Sequence, residues 1–85
     1  MYKIILSKSS EKFIEKSGKI IFERISKKLE QLRINPFPSD CKRVEGQTGK
    51  IFRVRVGDYR ILYEVLHKEV IIQIIKIDKR SKVYD

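Results

Sequence analysis

Residues 50–66, KIFRVRVGDYRILYEVL, decide the reading of this chain. Alternation places Phe52, Val54 and Val56 on one side of a strand and Arg53 and Arg55 on the other. Gly57-Asp58 is a two-residue turn signal, with glycine able to take the positive φ of a type II′ turn. A turn there sets Val56 opposite Tyr59, Arg55 opposite Arg60, Val54 opposite Ile61 and Arg53 opposite Leu62. Arg53, Arg55 and Arg60 then share one face of a hairpin, while Tyr59, Ile61 and Tyr63 join the apolar face. Like charges opposed across a ladder destabilise it. An anion seated on the cluster, most naturally a phosphate chain, would relieve that repulsion.

Upstream of the hairpin, Tyr2 to Ser7 reads as a short strand, and the serines from Ser7 to Ser10 offer helix-capping oxygens, with Glu11 favouring a helix start. A short helix follows to about Lys16 and breaks at Ser17-Gly18. The next helix spans about Lys19 to Arg33, with Ile21, Ile25, Leu29 and Leu32 as its buried stripe and Phe22 adjoining. Asn35-Pro36-Phe37-Pro38 ends it, because each proline disfavours helical geometry in the residue before it. A loop then runs to about Gly49. Downstream, a turn near His67-Lys68 leads to a strand from Val70 to Ile77, apolar enough to be buried on both faces. The expected order is β-α-α-β-β-β, an α+β domain filling residues 1–85. Two helices pack on one face of a small, mostly antiparallel sheet, and the arginines occupy the other.

Composition narrows the partners. Twenty Lys+Arg against 11 Asp+Glu give a net charge of +9, which favours polyanions, although a merely lysine-rich solvated surface has the same balance. The single cysteine, Cys41, excludes an intrachain disulfide and lies in a loop without a histidine nearby. One His and one Cys give no zinc-ligand spacing, and no Gly-rich loop precedes a helix, so neither metal nor cofactor is expected. No run approaches the roughly 20 apolar residues of a membrane span. The first strand is too short for a signal peptide, so a cytoplasmic location is expected. His67, in a turn, is read as a solvated residue.

What remains is arginine, lysine and tyrosine. Fixed guanidinium groups stabilise the charge that builds on phosphorus when a ribose 2′-hydroxyl attacks the adjacent phosphate. Their planar fork meets two phosphate oxygens at once. A tyrosine among cations is a feasible proton carrier. On these residues alone the chain is a nucleic-acid-binding surface with possible ribonuclease chemistry.

The stretch from Lys42 to Tyr84 resembles the RelE/ParE toxin superfamily, and within it the RelE-type messenger RNA interferases. The resemblance is carried by Val44-Glu45-Gly46, by Phe52 to Arg60, by Tyr63-Glu64-Val65, and by Arg80 followed by Val83-Tyr84. It implies a RelE-like, microbial-RNase-like fold and a toxin of a type II toxin-antitoxin system. Such a toxin cleaves messenger RNA in the ribosomal A site by 2′-hydroxyl attack, without a metal or small-molecule substrate. Implied partners are a RelB-like antitoxin and the ribosome with its message. Implied catalytic residues are Arg60, which holds phosphate, Arg80, an acid, and Tyr84, which activates the nucleophile. Arg53 and Arg55 align with basic strand residues that bind RNA and are lysines in the best-known members. Apart from the resemblance, Lys50 and Lys79 read from their charge as secondary phosphate contacts.

Other readings stay open. A ParE-like toxin would share the scaffold, bind DNA gyrase and cut no RNA; a degenerate relative would only bind RNA. Arg60 could be paired with Glu64, Arg53 and Arg55 could be solvated strand charges, and Tyr84 could sit in a frayed end.

Overall fold

The computed structural model describes residues 1–44 and 50–79 of the 85-residue chain. Seven elements follow in order: β1 (Lys3–Leu6), α1 (Lys8–Lys16), α2 (Lys19–Ile34), β2 (Lys42–Arg43), β3 (Ile51–Val56), β4 (Tyr59–Leu66) and β5 (Ile71–Lys79). The strands form one sheet in the order β1-β5-β4-β3-β2, with β1 parallel to β5 and every other pair antiparallel. The expected α+β architecture stands, with one strand more than the sequence reading had. The loop expected to run to Gly49 contains β2, whose two residues pair with Arg53 and Phe52 at the edge of β3.

Ser7 ends β1 and begins α1. Its backbone is extended, and its hydroxyl accepts the Ser10 N–H at 3.2 Å, which is the N-cap interaction the serine run foretold. Gly18 separates the helices at φ 82°, a left-handed conformation that side chains disfavour. At the other end of α2, Asn35 is extended before Pro36. Tyr2 N–H bonds the Arg33 carbonyl at 2.9 Å, which ties the helix end to the chain's first strand.

Ile25, Leu29 and Leu32 of α2 form one core with Val54, Val56, Ile61, Tyr63, Ile72, Ile74 and Ile77 of the sheet. Ile21 only adjoins this core, and Phe22 is 47% exposed. Phe22 lies about 60° around the helix from Ile25, at the margin of the buried stripe. β5 also departs from expectation. It is buried on one face, at Ile72, Ile74 and Ile77, while Ile75 is exposed. A bulge causes this: Leu62 pairs with Lys76 but Tyr63 with Ile74, so Ile75 is an extra residue and the alternation changes phase there. An apolar run that looked two-sided is a one-sided strand with a phase shift.

Candidate cationic site

The β3–β4 hairpin has the register the sequence implies. Val56 pairs with Tyr59, Arg55 with Arg60, Val54 with Ile61 and Arg53 with Leu62. Gly57 sits at φ 57° and, among the described residues, Val70 alone of the non-glycines has a positive φ. A left-handed residue followed by an ordinary one suits the type II′ turn. Val54 and Val56 face the helices, so Arg53, Arg55 and Arg60 share the opposite face of the sheet.

Register extends this face sideways in two rows. One row runs Arg55, Arg60, Asp78, and the other Lys42, Arg53, Leu62, Lys76. Lys42 and Lys76 are additions the sequence reading missed. Lys42 is on a strand too short to show alternation, and Lys76 follows the bulge. Asp78 is the acidic member: its carboxylate lies 3.5 Å from Lys76 Nζ and accepts the Lys79 N–H at 2.8 Å. Asp78, rather than Glu64, is the cross-strand neighbour of Arg60.

The three arginines differ in depth. Arg55 is exposed, Arg53 is 8% exposed, and Arg60 is fully buried. A guanidinium stays in a buried site only with compensating partners. Arg60 has a cross-strand partner on either side, Arg55 of β3 and Asp78 of β5, whereas β2 meets β3 at Phe52 and Arg53, further along the strand from Arg55. The face is therefore graded in depth, with its solvent-exposed part at Arg55.

Lys79 is not brought to this face. It pairs with Tyr59 and so lies on the helix side of the sheet. Lys50 is exposed just before β3, and alternation carries it to the side of Phe52. Arg80 and Tyr84 lie outside the described residues. His67 is exposed, yet its Nδ1 is 3.2 Å from the Tyr2 hydroxyl and its ring lies 5.8 Å from that of Phe37, so it ties down its turn rather than projecting freely. Cys41 is half-buried beside Tyr63, whose hydroxyl donates to the Pro36 carbonyl at 2.6 Å. Burial, reinforced by Cys41 and Asp40, pushes the Tyr63 phenol far above its ordinary value, which suits a packed, neutral tyrosine rather than a proton carrier. Among the described residues no group of His, Cys, Asp and Glu could hold a metal ion. No helix is long and apolar enough to cross a membrane among those residues.

Comparison with known proteins gives the family. The family described as ParE toxin of type II toxin-antitoxin system, parDE, matches residues 4–84. A protein of Methanocaldococcus jannaschii provisionally named toxin RelE1 is 41% identical over 59 residues, covering 66% of this chain and 64% of that protein. The chain thus spans a little under two thirds of that relative's length. The archaeal RelE-RelB complex from Pyrococcus horikoshii OT3 contains a chain that superposes with a TM-score of 0.82 at 28% identity, over 96% of this chain and 98% of that one. The isolated E. coli RelE toxin shares the fold, with a TM-score of 0.78 at 21% identity over 93% and 84% of the two chains. On the match over residues 4–84, the chain belongs to the ParE toxin family of type II toxin-antitoxin systems, within the RelE/ParE superfamily.

Proposed function

We propose that the protein is a toxin that stops translation by cutting messenger RNA in the A site of the ribosome, and that a RelB-like antitoxin restrains it. The observation that carries this reading is the placement of Arg55 directly across from Arg60, with Arg53 on the same face. In the proposed reaction the ribose 2′-oxygen attacks the adjacent phosphorus and the bond from phosphorus to the 5′-oxygen breaks. The products are a 2′,3′-cyclic phosphate and a 5′-hydroxyl. The 2′-hydroxyl gives up its proton to a base, and an acid returns one to the leaving oxygen.

Arg55 meets the phosphate from solvent, and Arg53 and Arg60 reinforce the positive field behind it. The resemblance supplies Tyr84 as the base and Arg80 as the acid; Lys50 and Lys79 are outlying contacts read from charge alone. Register carries Lys79 off the arginine face and alternation carries Lys50 off it, so the proposal rests little on them. The antitoxin is supported by the Pyrococcus horikoshii relative, which was crystallised as a RelE-RelB complex.

Primer extension on a message being translated tests the reading. New cuts in the message are expected with added protein, and far fewer with the Arg55→Ala variant. A message left intact beside one cut by a control toxin would falsify it. The depth of Arg60 favours a second reading, in which the face is structural and the toxin binds DNA gyrase through protein contacts. Inhibited supercoiling together with an intact message selects that alternative.

A further inference from the structure

β5 continues where β1 stops. β1 pairs with Ile71 to Ile74, and the chain then turns at Ser7 into α1, while β5 runs on to Lys79. Among the described residues, β5 beyond Ile74 has β4 on one side and, on the other, an open groove of about 470 Å³ bordered by α1. The hairpin register decides which backbone groups face that groove. In a two-residue hairpin the residues flanking the turn exchange both bonds, so Tyr59 and Ile61 bond to β3 while Arg60 and Leu62 bond to β5. Asp78, the partner of Arg60, therefore directs its backbone to β4, and Ile77 directs its N–H and C=O into the groove.

The walls have two characters. Phe13 of α1 and Tyr59 of β4 meet edge-on at 5.4 Å and 70°, and with Ile77 they form an apolar floor. Lys12 and Lys16, one helical turn apart, border it on α1, and Lys79 stands at the end of β5. Asp78 also reaches this groove, but its carboxylate is engaged by Lys76 and by the Lys79 N–H.

We propose that this groove receives an extended, acidic peptide segment that continues the sheet along β5 where β1 leaves off. The segment exchanges backbone hydrogen bonds with Ile77, sets one apolar side chain against Phe13 and Tyr59, and aims carboxylates at Lys12, Lys16 and Lys79. An edge presenting both a donor and an acceptor at strand spacing suits a peptide, whereas an RNA backbone has no amide to exchange there. That the segment belongs to an antitoxin rests on the toxin reading above; the chemistry of the groove does not.

The test uses the whole chain and a short fluorescent peptide alternating glutamate with valine, compared with its lysine-for-glutamate counterpart and a short oligouridylate. Fluorescence anisotropy reads binding, and amide hydrogen exchange by NMR reads the Ile77 N–H. The acidic peptide should bind and slow exchange at Ile77, and Lys12→Glu/Lys16→Glu should weaken it about tenfold. Lys12→Arg/Lys16→Arg should preserve binding, and circular dichroism confirms that both variants fold. The proposal is overturned if the acidic peptide does not bind, if it binds without protecting Ile77, or if the lysine peptide binds equally well. Protection of Ile77 by the oligouridylate overturns it in favour of an RNA groove. Primer extension without peptide reads the toxin activity independently, so failure of one reading is distinguishable from failure of the other.

Discussion

Arg55 and Arg60 are direct cross-strand partners, yet one is exposed and the other fully buried. Adjacency in the ladder thus separates two roles that a sequence pattern merges. Arg55→Ala should leave stability within about 0.5 kcal/mol, because an exposed charge opposed by a like charge contributes little. If Arg55 stabilises charge on the reacting phosphate, cleavage should fall about a hundredfold. Arg60→Ala should cost about 3 kcal/mol in urea unfolding, because removing a buried guanidinium strands whatever compensates it. Equal stability losses in the two variants would contradict the graded face.

Tyr63 makes the stability of the fold sensitive to alkali. Its phenol is raised by burial, so the folded state keeps the proton that the unfolded state releases above about pH 10. The stabilisation is complete below that pH and declines above it by about 1.4 kcal/mol per pH unit for this group. Tyr63→Phe should remove that share of the alkaline slope. At neutral pH it should cost about 1–2 kcal/mol, since the Pro36 carbonyl loses its donor. Urea titrations at pH 7 and above pH 10 check both effects.

Two turns make opposite predictions. Gly57 requires its positive φ, so Gly57→Ala should destabilise by about 1 kcal/mol. A methyl group there would meet Arg24 Nη1 at only ordinary van der Waals distance, which assigns the cost to the backbone. Val70 holds φ 55° with a β-branched side chain that is 46% exposed. Val70→Gly should therefore raise the melting temperature, with about 1 kcal/mol gained from relief of strain. A fall in melting temperature would show that the Val70 side chain contributes more packing than its exposure suggests.

Ser7 joins three elements through one hydroxyl. Its Oγ accepts the Ser10 N–H and lies 2.8 Å from both the Ser10 hydroxyl and the Ile75 carbonyl, to either of which it donates. Ser7→Ala should cost about 1–2 kcal/mol, the value of an N-cap. Ser7→Thr should recover much of it. Denaturant midpoints of the three proteins provide the comparison.

The hairpin was legible because alternation, a glycine turn and opposed apolar residues all agreed, and with them the register that groups Arg53, Arg55 and Arg60. Both helices and their boundaries were legible for a similar reason, since the serine cap, Gly18 and Pro36 mark their ends. β2 was not, because two residues carry no period. The one-sided burial of β5 was hidden by the bulge at Ile75, which shifts the apolar phase and fills the run. Alternation reports the face on which a side chain lies but not its depth, so the burial of Arg60 was invisible. Charge alone offers Lys79 as a phosphate contact, whereas strand parity sends it to the helix side.

The parallel pairing of β1 with β5 has a consequence for how the chain comes into being. Lys3 meets Ile71, 68 residues further on, and Ser7 reaches Ile75 across the same interval. Since β5 lies between β1 and β4, the first strand has no neighbour in the sheet until the last described strand has been synthesised. Such long-range closure is slow relative to local pairing. During vectorial synthesis the helices and the β3–β4 hairpin are available early, but the core around Ile72 and Ile74 is not. The nascent protein therefore passes through an interval in which its helices exist without the sheet that buries them. That interval ends only when β5 has left the machinery that made it.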